Sequence, residues 1–171
     1  MTKEGGAHLV WDEINKAWSE RELPAVRGLL SDGVYSYLQY ALETDRRHGH
    51  HNMVKDARMT RSALVRVTRD AHYDAITVRL WAACKDYTIF EKSGRTYSGS
   101  RKRERTYSEY WTLIRGAGVV GKLNATRNCP NCDGDLKVNM SGNCEYCQAH
   151  VTCGEFDWVL SRIEQDEAYR G

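Results

Sequence analysis

No run of apolar residues in this 171-residue chain approaches the ~18 needed to cross a bilayer as a helix. Any membrane contact is therefore expected at the surface, or through a segment outside this sequence. Repeats and low-complexity tracts are missing too, which excludes solenoids and disordered scaffolds. There is no phosphate loop, nucleophile elbow or metalloprotease helix, so no motif identifies a reaction. The opening MTKEGGAH is polar and carries no signal-peptide pattern, and the six cysteines accordingly do not read as a secreted disulfide framework. With 41% hydrophobic and 28% charged residues, the composition is that of one globular domain plus a small module.

Four of the six cysteines are crowded into CPNCDGDLKVNMSGNCEYC, as the pairs Cys129/Cys132 and Cys144/Cys147. Two cysteines separated by two residues can turn both sulfurs toward one point, and two such knuckles at the ends of a short hairpin supply a tetrahedron of thiolates. The spacing predicts one zinc ion on these four residues, with a redox or disulfide role for one pair as the runner-up. DLKV (135–138) would run out and NMSGN (139–143) would turn. Pro130 stiffens the first knuckle, and Gly134 and Gly142 permit the unusual backbone angles of the turns. Cys84 alternates with Ile76, Val78, Leu80 and Ala82 on one strand face and reads as an inert buried thiol. Cys153 and His150 stay outside the tetrahedron, as a surface thiol and a solvated imidazole.

The net charge of +2 hides an uneven distribution: residues 46–105 hold fifteen Lys/Arg against six Asp/Glu, a net +9, so the remainder carries −7. Arg101, Lys102, Arg103 and Arg105, with Arg46 and Arg47, form a basic face suited to an anionic membrane surface or an acidic protein partner. The alternative is an ordinary solvated loop whose charges discourage edge-to-edge sheet pairing. Between Cys129 and Cys147 one lysine faces Asp133, Asp135 and Glu145, so the cysteine module is acidic and phosphate contact there is disfavoured. A zinc-ribbon nucleic-acid binder is therefore the weaker alternative. HGHH (48–51) reads as a helix terminus rather than a metal site.

Helical periodicity dominates the first third. Trp11, Ile14 and Trp18 make one apolar stripe, ELPAVRGLL gives a short second helix with Pro24 near its start, and Ser31 or Asp32 caps a third. On that third helix Val34, Tyr37, Leu38, Ala41 and Leu42 share a face, and Gly49 ends it. Beyond residue 57 the period becomes two, over 63–68, 73–90 and 104–116, with a further strand expected near Val119. Thr152 followed by Glu155 reads as a capping box opening a final helix on Phe156, Val159, Leu160 and Ile163. Helices followed by antiparallel strands indicate α+β, with a curved sheet wrapped around the helices.

DYTIFEKSGRTYSGSRKRERTYSEYWTLIRG, the cysteine pairs and GEFDWVLSRIEQ, together with the order of helices, resemble the Tim-forty-four-like family. The likeness is to bacterial relatives of the mitochondrial import motor's membrane tether, in the version that adds a C-terminal zinc ribbon. It implies a cone of the nuclear transport factor two-like class: helices packed into a strongly bent sheet, leaving an apolar pocket. Residues 7–126 would form that α+β domain, 127–152 the zinc ribbon and 153–171 the C-terminal helix. The mitochondrial relative associates peripherally with anionic lipid and tethers a chaperone motor to a channel. The resemblance thus implies a non-enzymatic binding or tethering domain at the cytoplasmic side of a membrane, with any N-terminal anchor outside this chain. One departure is Asp133, where a glycine often follows the second cysteine.

The pocket is expected between Trp11 and Trp18 on the first helix and the concave sheet, with lipid or an amphipathic segment as occupant. The plainer reading is that these tryptophans fill a close-packed core. Arg79 and Glu109, near the middles of neighbouring apolar strands, are expected to pair across the sheet or each to find a partner in the pocket, unless both lie on a wet outer face. The cone class also houses isomerases with acidic and histidine catalysts. A pocket enzyme using Asp74, Asp86, Asp70 or His72 is accordingly the other alternative, although none of these stands in a reaction motif.

Overall fold

The computed structural model describes residues 3–120 and 128–171. Its elements run α1 (Lys3–Glu20), a short 3-10 helix (Leu23–Leu29), α2 (Asp32–Arg47), β1 (His50–Arg69), β2 (Tyr73–Phe90), β3 (Thr96–Gly99), β4 (Arg105–Gly116) and β5 (Val159–Gln165). The strands make one antiparallel sheet ordered β1-β2-β4-β5, with β3 also on β2. β3 pairs with Tyr87–Ile89 while β4 takes Tyr73–Cys84, so the two are successive parts of one partner to β2, interrupted by residues 100–104. The basic stretch SRKRE is an excursion from the sheet at that interruption.

Curvature comes from β1. Its pairing with β2 slips at Lys55/Arg58, Met59/Arg61 and Leu64/Arg66, and Asp56 sits at φ 52° within the first slip. Extra residues on one strand bend it and increase its twist. On the concave face Leu80, Ala82, Trp111 and Leu113 meet Val10, Trp11, Ile14 and Ala17 of α1 and Val34, Leu38 and Leu42 of α2 in a single core. Ser31 caps α2 through its hydroxyl, and Gly49 (φ 68°) turns the chain out of it into β1. Glycine suits that turn because an L side chain is strained at positive φ.

The closing segment is a strand and not the predicted helix. Val159–Gln165 pairs along β4, and a slip opposite Thr112/Leu113 leaves Ser161 extra, so that Leu160 and Ile163, three residues apart, both face the core beside Leu113 and Trp111. Such a bulge makes neighbouring apolar residues look helical in sequence. Thr152 does not open a helix; its hydroxyl donates to Asp32 Oδ1 at 2.9 Å. Residues beyond β5 fold over the convex face of the sheet, where Tyr169 stacks on Tyr110 with ring centres 3.8 Å apart. The strand expected near Val119 falls mainly on residues outside the described set, and Val119 and Val120 are not in a strand.

Candidate functional site

A cavity of about 640 Å³ lies between α1, α2 and the concave sheet. Trp11, Ile14 and Trp18 line it from α1, Val34, Leu38 and Ala41 from α2, and Ile163 from β5. Trp11 is also part of the close-packed core, being 1% exposed. Trp18 is fixed by Asn52, whose carbonyl oxygen accepts its indole N–H at 2.8 Å. The Asn52 amide in turn donates to Asp86 at 2.9 Å, and Asp86 pairs with Arg105 at 2.9 Å. The sequence reading missed Asn52; a lone polar residue on the inward-facing parity of a strand was its only signal.

Glu109 lies further along β4 on the same wall. Its carboxylate accepts the Trp111 indole N–H at 3.0 Å and the Gln165 amide at 2.6 Å. Arg79 is not its partner. In the register Arg79 faces Tyr110 and Glu109 faces Leu80, which puts the two on opposite faces of the sheet. Arg79 lies on the convex side, outside the pocket, stacked against Trp81 and Tyr110 and donating to Asp166 at 2.8 Å and Ser108 at 3.2 Å. Each charge therefore has its own set of partners.

The acidic and histidine candidates for catalysis are dispersed. Asp74 is buried between Arg69 and Arg115, and the Arg69 hydrogen bond in particular holds its carboxyl below the usual range. Asp70 accepts the backbone N–H groups of His72 and Tyr73, both at 2.7 Å, and shapes a turn. Asp86 is the one that reaches the pocket, and Arg105 and Asn52 hold it. Burial pushes the Cys84 thiol and the Tyr107 phenol up, so neither is a ready nucleophile or base.

Of the basic face, Arg101 lies over Tyr87 and donates to Thr96 at 3.2 Å and to the Gly94 carbonyl. The Ser100 hydroxyl accepts the N–H groups of Lys102 and Arg103, turning the loop so that both side chains face solvent. Arg46 and Arg47 end α2 at the same end of the sheet, where His50 stacks on Tyr97. Arg105 departs from this group, being turned to Asp86 on the pocket wall. The histidines of HGHH go separate ways: His48 to the Thr44 carbonyl, His50 to Tyr97, His51 to the Ser19 carbonyl.

The second candidate site is the cysteine module. Sulfurs of Cys129, Cys132, Cys144 and Cys147 all lie within 4.8 Å of one another, the one metal-ligand cluster among the described residues. Cys129 and Cys147 Sγ are 3.7 Å apart. A tetrahedron of bonds of ~2.3 Å has an edge of ~3.8 Å, so the donor set fits a four-coordinate ion. Asn131 donates to both sulfurs, from its backbone and its side chain, each at 3.4 Å. Hydrogen bonds from the Asn131 amide and the Ala149 N–H lower Cys147 to about 6, whereas Cys132, despite the Gly134 N–H, is raised to about 11 by desolvation and the neighbouring sulfurs, as befits four thiols crowded on one point.

This module is docked to the helical side by a joint the sequence did not reveal. Asp32 Oδ1 accepts from the Thr152 hydroxyl and from the buried Arg27 guanidinium, and His150 Nε2 stands 3.2 Å from Oδ2. His150 is thus a joint residue and not a free imidazole. Cys153 is half-buried and donates its thiol to the His150 carbonyl at 2.9 Å. Gly142 closes the joint at φ 82°; a Cβ there would meet Thr152 Oγ1 at 2.1 Å and Asp32 Oδ1 at 2.8 Å. Gly142→Ala is expected to open the joint, lowering the melting temperature and speeding amide exchange over residues 139–153. Unchanged exchange there would contradict the tight approach.

A bent antiparallel sheet closed over helices around a pocket defines a pocketed α+β fold, whose function is set by the site and not by the fold. The Tim44-like domain family matches residues 5–125, and the chain belongs to that family. Among solved structures it is similar to the intermembrane space region of the chloroplast protein ARC6, at 9% identity and a TM-score of 0.50, over 96% of each chain. At that identity the likeness concerns the fold alone. No curated protein matches the chain. No helix among the described residues is long and apolar enough to cross a membrane.

Proposed function

We propose that this chain is a non-catalytic tethering domain that holds a lipid or an amphipathic protein segment in its pocket and meets an anionic membrane surface, or an acidic partner, with its basic loop. The observation that carries the reading is the cavity between α1, α2 and the concave sheet, beside a protruding loop whose Lys102 and Arg103 side chains face solvent. Membership of a family whose domains work on membranes and proteins supports it. The ion in the cysteine module is zinc: four thiolates in a tetrahedron leave no open position, so the metal is structural and the ribbon serves as a rigid docking element. The domain would work at the cytoplasmic side of a membrane, its retention there helped by a second attachment, because a few cations each worth about 1 kcal/mol bind only weakly.

Vesicle co-sedimentation tests this reading. Pelleting with phosphatidylserine vesicles is expected to exceed that with phosphatidylcholine vesicles, to fall as salt rises, and to drop several-fold when Arg101, Lys102 and Arg103 become Gln. Arg105 is left in place because it holds Asp86. Pelleting that ignores lipid charge, salt and the substitutions removes the membrane role of the loop. Comparable salt-sensitive binding to single-stranded DNA would instead favour nucleic acid.

A further inference from the structure

The pocket holds one carboxylate with no cation beside it. Asp86 is matched by Arg105, whereas both partners of Glu109, the Trp111 indole and the Gln165 amide, are neutral. Among the described residues no lysine, arginine or histidine lies within ion-pair distance of Glu109. A carboxylate has about four acceptor positions on its two oxygens, and these two neutral donors occupy two of them. The remaining positions are within reach of solvent, since Glu109 is half-buried and Gln165 beside it is exposed.

Occupation of the pocket changes that balance. An apolar occupant packed against Trp18, Val34 and Leu38 would expel the water and strand the charge, which is costly in a low dielectric. An anionic occupant would add repulsion to that cost. A ligand that brings its own cation to Glu109 converts the same desolvation into a charge-assisted hydrogen bond. The remainder of the wall also suits protein better than acyl chain, because it interleaves the polar side chains of Asn15, Asp86 and Gln165 with the apolar ones.

We infer that the pocket recognises a protein segment in which a lysine or arginine is flanked by apolar side chains, the cation seating on Glu109 and the apolar groups on α1 and α2. This rests on the pocket part of the tethering reading and is independent of the basic loop. The two surfaces then divide the work: the loop takes anionic surfaces, and the pocket takes a basic amphipathic segment.

Three acetylated, amidated peptides test the inference, each a short run of leucines around a central lysine, norleucine or glutamate, titrated into the full chain by calorimetry and tryptophan fluorescence. The lysine peptide is expected to bind roughly tenfold tighter than the norleucine peptide, and the glutamate peptide most weakly. Glu109→Gln should remove that preference while leaving the melting temperature near the parent's, and Glu109→Lys should invert it. Arg61→Gln, on the convex face, should change neither. Equal affinities of the lysine and norleucine peptides, or a preference that survives Glu109→Gln, overturns the inference and leaves a nonselective pocket. Tighter binding of lysophosphatidylethanolamine than of the lysine peptide, lost in Glu109→Gln, overturns it in favour of a lipid amine. If no probe binds, the pocket part of the tethering reading falls with it, while vesicle binding by the loop stands or falls separately.

Discussion

Stripping the metal from the reduced protein is expected to unfold residues 128–152 and to loosen the rest of the chain as well. Structural zinc in small peptides contributes roughly 10–16 kcal/mol of apparent binding free energy. The module's own core offers no comparable substitute: besides the cysteines it buries Val151, with Leu136, Val138, Ala149 and Phe156 partly covered against it. The effect should propagate because Gly28 lies against Leu136 and Asp32 is shared between Arg27, Thr152 and His150. Cys144→Ser tests this most sharply, since Cys144 is fully buried and its loss removes a ligand from the interior of the tetrahedron. Elemental analysis should give one zinc per wild-type chain and a large loss in the variant, with amide protection disappearing over the module. A metal-free wild type with full protection there would contradict the structural role.

Asp32→Ala is expected to have the next largest effect. Arg27 is 2% exposed, donates to the Leu30 carbonyl at 3.0 Å, and lies over the Tyr35 ring with its carbon 4.5 Å from the centre. Among the described residues Asp32 is its only carboxylate, and removing one member of a buried pair leaves an uncompensated charge. The cost should be about 3 kcal/mol, the lower end for buried pairs, because the Asp32 side chain is half-exposed and water screens part of the interaction. Urea denaturation would show a lowered midpoint with an unchanged slope, and exchange would quicken at the module. Asp32→Asn, which keeps an acceptor for Thr152, should lose less.

Acid should reproduce part of this. Burial alone would raise the Asp32 carboxyl, but hydrogen bonds from Arg27 and Thr152 outweigh it and hold the group below 3.8. For a carboxyl lowered on folding, the stabilisation is complete above the unfolded value and is lost as pH falls through the folded one. The joint is therefore expected to hold at neutral pH and to weaken in strong acid. A stability profile in which Asp32→Ala and the parent differ equally at every pH would contradict that origin.

The parts of this structure legible in sequence are those fixed by local chemistry. Two Cys-x-x-Cys knuckles carry their own geometry, Ser31 and Gly49 punctuate α2, and the unbroken alternation from Tyr73 to Phe90 matches β2 at both ends. Register was not legible, because it is set by partners distant in the chain. A displacement of one residue between β2 and β4 would have put Arg79 and Glu109 on the same face. β1 begins at His50, thirteen residues before the expected start, since HHNMVKDARMTRS on a slipping strand shows no clean period. β3 was hidden among turn-forming residues in GRTYSGS. The terminal strand was misread because its bulge brings Leu160 and Ile163, at helical spacing, to the same interior and Thr152 serves the Asp32 joint rather than a helix cap. That joint needed two segments more than a hundred residues apart, and nothing local advertised it.

Amide chemical-shift mapping of the zinc-loaded, labelled chain, titrated first with phosphatidylserine nanodiscs and then with the lysine-centred peptide, tests the central claim most directly. Two separate sets of responses are predicted: residues 100–104 with Arg46 and Arg47 for the lipid, and Trp18, Glu109, Trp111 and Gln165 for the peptide, with both ligands bound together. Responses confined to the convex face or the β1 edge, or mutual exclusion of the two ligands at one surface, would contradict a tether that grips membrane and partner at distinct sites.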